Sequence, residues 1–294
     1  MTATAPLLGV LTDTDIAEVA VAAIRSEAEL TPKPGLVDRR GSGAHTDMDL
    51  DMLRASAEAL REAFVECASA ARRLPIGLDL RAIIGQIGRA GEVQMLEATG
   101  GVNTHRGALW ALGLLSAGAT TGSVAGAVDV AARLALIPDR DAIPTTSHGA
   151  LARQRHGARG AAGEAQSGFP HVRLHALPAL RTARRSGADE ATARLEALLA
   201  LMARLDDTCV LHRGGLDGLR AVQSGARAVL TAGGIGTIEG RRRFTKLDDL
   251  CLTRRLSPGG SGDLLSATLF LDALPRLFSR RFASPERDSL PCRL

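Results

Sequence analysis

Tyrosine is absent from the 294 residues, and only 6 Phe and 1 Trp are present. A core without aromatic bulk must be filled by Ala, Leu, Val and Ile; Ala and Leu also favour helix intrinsically. The same scarcity removes the ring surfaces on which single-stranded nucleic acid stacks. Lysine is nearly missing too. Lys33 and Lys246 are the only ones, so the net charge of +4 rests on arginine. No basic run exceeds Arg241–Arg243, which reads as a solvated turn or helix start and gives no nucleic-acid footprint. Cys67, Cys209, Cys251 and Cys292 form no CxxC pair. That speaks against a zinc knuckle or redox motif, and it fits reduced thiols in a cytoplasmic protein. The start, MTATAPLLGVLTDTD, lacks the basic residues and long apolar centre of a secretion signal. Residues 107–128 carry no charge, but GATTGS at 118–123 divides them into two buried helices and so argues against a membrane span.

What is present is helical periodicity, in a chain of 45% hydrophobic and 23% charged residues. Ile16, Val19, Ala20, Ala23 and Ile24 repeat at helical spacing, with Asp15 and Glu18 placed as a capping box. Further helices are predicted over 48–73, 78–98, about 105–116, 123–136, 188–205, 216–230 and 261–274. The helix over 78–98 is loosened by Gly85, Gly88 and Gly91, and the last is stopped or kinked at Pro275. Residues 155–170 read as a long loop carrying Arg159 and Glu164. No alternating strand series and no βαβ rhythm appears. The expectation is therefore an all-α fold, a single-domain helical bundle over 1–278 with a flexible tail at 279–294. Its apolar helices are also compatible with a homodimer.

Five polar segments punctuate the helices: PKPGLVDRRGSGAHTDMD, GGVNTHRG, ARGAAGEAQSGFP, DDTCVLHRGG and SPGGSGD. In a bundle, such connections can converge on one rim. In SPGGSGD, Ser257, Gly259, Gly260 and Ser261 precede an apolar helix whose positive end attracts phosphate; a plain glycine turn with a capping Ser261 is the alternative. Asp206 and Asp207 follow a helix, where the macrodipole disfavours carboxylates. That points to a metal or to Arg213, against a solvated pair. Asp47 and Asp49 beside His45 suit Mg²⁺, or else Asp47 or Thr46 caps the next helix. Asn103 or Thr104 can cap the helix that follows, Arg106 sits in its first turn as if facing an anion, and His105 is a donor or acid candidate. Lys33 is held stiffly between two prolines. Together these suggest a nucleotide polyphosphate with Mg²⁺ on a helical scaffold.

These five segments, in this order across about 22–271, resemble the triphosphoribosyl-dephospho-CoA synthases. The resemblance implies an all-α, Mg²⁺-dependent transferase that joins ATP to 3′-dephospho-CoA and releases adenine. The product is a precursor of an acyl-carrier-protein prosthetic group, attached by a separate phosphoribosyl-dephospho-CoA transferase. Citrate lyase and malonate decarboxylase both use such a group. Citrate-type members lead one to expect asparagines where this chain has residues 40–42, lysine at Arg106 and alanine at Gly262. The RRGSGAHTDMD form resembles the malonate decarboxylase branch. The resemblance makes Asp47, Asp207 and Asp263 candidate Mg²⁺ ligands and Glu164 the first choice of base, with Glu29 second. His45 or His105 would contact adenine or phosphate. Lys33, Arg106, Arg159 and the SPGGSGD backbone would hold the triphosphate. A non-catalytic CoA- or nucleotide-binding protein and a nucleosidase-like hydrolase are the competing classes.

Overall fold

The computed structural model describes residues 11–142 and 148–280. The first helix, α1 (Asp13–Ala28), begins at a capping box made by Thr12 and Asp15, three residues earlier than the expected Asp15–Glu18 pair. The Thr12 hydroxyl accepts from the Asp15 amide and the Asp15 carboxylate accepts from the Thr12 amide, so the two satisfy each other. The predicted stretch 48–73 is two helices, α2 (Leu50–Ala59) and α3 (Arg61–Arg73), joined at Leu60. Asp49, not Asp47 or Thr46, caps α2 by accepting from the Met52 amide. Next come α4 (Leu78–Ala98), α5 (Arg106–Ala119) and α6 (Val124–Leu136).

The charge-free stretch is explained by α5, which is buried almost all the way round. A Cβ on its Gly118 would come 2.2 Å from the carbonyl oxygen of Ala127, so α5 and α6 touch backbone to backbone. Each buried Leu of α5 contributes about 1.5–3 kcal/mol of apolar burial. Among the described residues no helix is long and apolar enough to cross a membrane.

The second half departs more from expectation. Residues 155–170 are not one long loop: α7 (His148–His156) runs into them and α8 (Gly160–Gln166) lies inside them. A π-helical turn (Val172–Ala176) then leads into α9 (Leu177–Arg185) and α10 (Glu190–Met202). The eleventh helix, α11 (Thr208–Thr231), is two segments joined at the non-helical Gly215, φ 60°; the second begins where 216–230 was predicted, and the first, from Thr208, was not expected. The twelfth, α12 (Ile238–Thr253), contains the Arg241–Arg243 run. The last, α13 (Gly259–Arg280), continues through Pro275, so Ser279 and Arg280 are helical; the rest of the expected tail, 281–294, lies outside the described residues. The described residues contain one isolated bridge, Asp38 with Gly41, and no strand. The fold is all-α, as the periodicity requires.

Helix α5 packs against α1, α3, α6 and α13, and α13 packs against α1 and α10. This arrangement brings the end of α1 and the beginnings of α5, α11 and α13 together.

Candidate active site

The C-terminal end of α1 carries a buried ion pair. Lys33 is 1% exposed, and its Nζ donates to Glu27 Oε1 at 2.8 Å and to the Glu27 carbonyl at 2.7 Å. The second bond places a cation on the last turn of the helix, where the macrodipole is negative. The Lys33 amide donates to Asp38 Oδ2, and Asp38 with Asp248 of α12 grips Arg40. Thus the 32–49 segment is anchored by its own charges. Replacing Lys33 with Met leaves the Glu27 carboxylate buried without its partner. We expect a loss of about 3–5 kcal/mol, read as a lower denaturation midpoint in urea; an unchanged midpoint would show that the pair is not structural.

The start of α5 faces this pair. His105 is 4% exposed. Thr104 donates to Ser56, whose Oγ lies 2.7 Å from His105 Nδ1; if Ser56 gives its own proton to Nδ1, the ring proton sits on Nε2. That Nε2 is buried and has no partner. Burial pushes the His105 pKa down to about 4, with Glu27 raising it and Lys33 lowering it. The ring is therefore a neutral donor near pH 7, not an acid. Asp263 of α13 lies over the first turn of α5, at Gly107 and the Ala108 amide. A Cβ on Gly107 would sit 2.0 Å from Asp263 Oδ2, so only glycine permits this approach. The Asp263 carboxyl is raised well above the usual carboxylate range, first by burial, then by Glu27 and Asp207, against one backbone bond from Ala108.

Asp207 does not sit at a helix end of the wrong sign. It is the N-cap of α11 and accepts from the amides of Cys209 and Val210. It also accepts from the amides of Gly260 and Ser261 and from the Ser261 hydroxyl at 3.0 Å. One carboxylate thus caps two helices. Its lone pairs are engaged, so it is not placed as a metal ligand, and Arg213 does not contact it. The backbone of Gly260 and Ser261 is likewise occupied and not free for phosphate. Gly259 packs against Cys209, whose thiol is pushed up by burial and stays protonated.

Before α13, Ser257 Oγ meets His45 Nε2 at 2.8 Å, and Arg213 Nη2 meets His45 Nδ1 at 3.0 Å. Asp47 lies at the edge of this group, 3.7 Å from His45 Nδ1 and 61% exposed. Asp47, Asp207 and Asp263 therefore do not converge as a metal cage. Among the described residues no group of three or more His, Cys, Asp or Glu is arranged to hold an ion. Nearest to a donor pair are Glu27, already matched by Lys33, and Asp263, whose carboxyl burial and Glu27 push towards its protonated form.

Glu164 is buried and committed to His171. Its Oε1 accepts from the His171 amide and its Oε2 meets Nδ1 at 2.7 Å. The Glu164 bond is the largest influence on the His171 pKa and raises it, against burial. Glu29 is elsewhere, held by Arg39 and Arg54 in a separate cleft of about 630 Å³ that Arg25, Arg61 and Arg194 also line. The anion that Arg106 faces is a protein carboxylate, Glu92 of α4; Asn103 accepts from its amide. Arg159 donates to Ser167 on the surface.

A sequence profile of the ATP:dephospho-CoA triphosphoribosyl transferase family matches residues 13–282. This chain belongs to that family. It is a transferase acting on ATP and dephospho-CoA. Three relatives are each named "Probable 2-(5''-triphosphoribosyl)-3'-dephosphocoenzyme-A synthase". The protein of Stutzerimonas stutzeri A1501 is 54% identical over 88% of this chain and 91% of its own. That of Pseudomonas fluorescens Pf0-1 is 56% identical over 89% and 92%. That of Azotobacter vinelandii DJ is 56% identical over 88% and 90%. No solved structure matches.

The cluster Glu27–Lys33–His105–Asp263 gathers two carboxyl groups, one cation and a neutral imidazole at the end of α1 and the starts of α5 and α13. Glu27, Ser56 and His171 are the members that the segments did not announce. Glu27 had a signal, since it lies on the buried stripe of α1 with Ile16, Ala20 and Ile24. A carboxylate on an apolar stripe needs a partner. His171 falls just past Pro170, where the polar segment ends.

Proposed function

We propose that this transferase moves the triphosphoribosyl group of ATP onto the ribose 2′-hydroxyl of 3′-dephospho-CoA, with adenine leaving, at the mouth formed by the starts of α5, α11 and α13. The observation that carries this reading is the meeting of Glu27, Lys33, His105 and Asp263 at that mouth. Breaking the N-glycosidic bond develops positive charge on the sugar ring, as in glycoside cleavage. Asp263 and Glu27 are carboxylates whose mutual repulsion such a charge would relieve. The His105 Nε2–H supplies a neutral bond to a ring nitrogen of adenine or to a phosphate oxygen. Glu164, together with His171, takes the hydroxyl proton.

The Mg²⁺ that the resemblance implies fits this donor pair, because the ion uses one or two carboxylates and fills its remaining positions with water and phosphate. Asp263 and Glu27 would hold it, and it would neutralise the tail's charge. The RRGSGAHTDMD segment supports assignment to the malonate decarboxylase branch. The product would then pass to a phosphoribosyl-dephospho-CoA transferase that loads an acyl carrier protein in the cytoplasm.

The test mixes protein, ATP, 3′-dephospho-CoA and Mg²⁺, follows adenine, and weighs the CoA product. We expect adenine and the heavier product in equal amounts. Adenine release that does not need dephospho-CoA would replace the transfer reading with hydrolysis.

A further inference from the structure

We propose that Arg213, His45 and Ser257 form a one-way chain of hydrogen-bond donors ending in a hydroxyl proton offered to a phosphate oxygen of the triphosphate tail. The inference rests on the transfer reading above and names groups that hold its anionic end. His45 is then a positioning residue, and Ser257 the residue that touches the ligand.

Taken by distance alone, the group resembles a nucleophilic triad. Asp47 stands 3.7 Å from His45 Nδ1, and Ser257 Oγ stands 2.8 Å from Nε2. In such a triad the carboxylate accepts from Nδ1–H, and the free lone pair on Nε2 draws the serine proton. Arg213 reverses that polarity. A guanidinium has donors and no acceptor, so its 3.0 Å contact with Nδ1 requires a lone pair there. Asp47 is beyond hydrogen-bond length and largely exposed. Arg213 is fixed as well, because its Nη1 donates to the carbonyls of Ala44 and Arg255. Burial and Arg213 both lower the His45 pKa, Asp47 opposing them. The neutral ring must carry its one proton on Nε2 and donate it to Ser257.

Ser257 accepts through Oγ and keeps its own proton to give away. No protein acceptor for that proton is found among the described residues, although Ser257 is 1% exposed. A buried donor without an acceptor is costly, and an anion is the acceptor that removes the cost. The position is apt. Ser257 lies two residues before α13, whose Gly260 and Ser261 amides are already taken by Asp207. The hydroxyl supplies, at this helix start, the donor that the backbone cannot.

The experiment has two arms. In the first, ¹⁵N-histidine-labelled protein is examined at pH 7, with the His45 signals assigned by their loss in His45→Gln. We expect the Nε2–H tautomer, changing to Nδ1–H in Arg213→Gln; an Nδ1–H tautomer in the unsubstituted protein overturns the proposal. In the second, binding of ATP and of inorganic tripolyphosphate is measured by calorimetry. Ser257→Ala should weaken both about tenfold, with a smaller loss of kcat at saturating ATP, and Ser257→Thr should restore binding. A large kcat loss with unchanged Kd would make Ser257 a nucleophile after all. Weakened ATP with unweakened tripolyphosphate would place the hydroxyl on another part of the nucleotide and also sink the idea. If Ser257→Ala fails to fold, Ser257→Thr and the tautomer still decide. The tautomer and the two Kd values do not depend on dephospho-CoA, so failure of the transfer reading shows separately in the adenine assay.

Discussion

Asp263→Asn should lower kcat by about 10²–10³-fold while making the metal-free protein more stable. The first effect follows from charge. The carboxyl group lies against the start of α5 at the bare backbone of Gly107, close to Glu27 and Asp207. Removing one preorganised charged group from a buried site typically costs a factor of that size. The second effect follows from linkage. Burial, Glu27 and Asp207 raise the Asp263 pKa well above the usual value. A raised folded-state pKa means the native protein holds this proton more tightly than the unfolded chain does. The stability so gained is full below the unfolded value of about 3.9 and is lost as pH rises through the folded one. Asparagine has no proton to lose. The gain in Tm, measured in EDTA, should therefore be larger at pH 8 than at pH 5. A variant that is less stable at pH 8, or that turns over normally, would remove Asp263 from the centre.

Glu164→Gln should reduce kcat by about 10²–10⁴-fold, the usual worth of a positioned acid–base group, with ATP binding changed little. The amide keeps an acceptor for the His171 backbone but loses the negative oxygen that meets Nδ1 at 2.7 Å. His171 also feels Asp206 and the Arg204 carbonyl, which favour its charged form, and His175 neighbours it at 6.2 Å between ring centres. Because Glu164 raises the His171 pKa, the pair's stabilisation is full below about 6.5 and fades as pH climbs through the folded value. The variant should thus lose more Tm, relative to the unsubstituted protein, at pH 6 than at pH 9. Equal losses would mean no ion pair forms. Normal turnover would take Glu164 out of the proton-accepting role.

How far the sequence was legible depended on local chemistry. The limits of α4, 78–98, were read correctly because a proline and a glycine precede it and two glycines follow. The first segment of α11 was missed, whereas Gly214–Gly215 does break the helix and the predicted 216–230 helix begins just after it. That error turned Asp207 from a cap into a supposed metal ligand. Asp49 misled in the same way: acidic spacing beside His45 is cap geometry here. Lys33, His105 and Asp263 were found through glycine, proline and polar context, although their meeting is tertiary. What brings them together is the packing of α1, α5 and α13, and no local spacing encodes it.

Asp207 has one more effect, on how firmly the enzyme can hold what it makes. A protein carboxylate already fills the place at α13 where a phosphate would find two backbone amides. Polyphosphate must therefore settle for looser attachments, which favour substrate and product alike and add nothing to the chemical step. With that seat taken by Asp207, the tightest grip this helix start could give an anion is closed to any ligand, substrate or product.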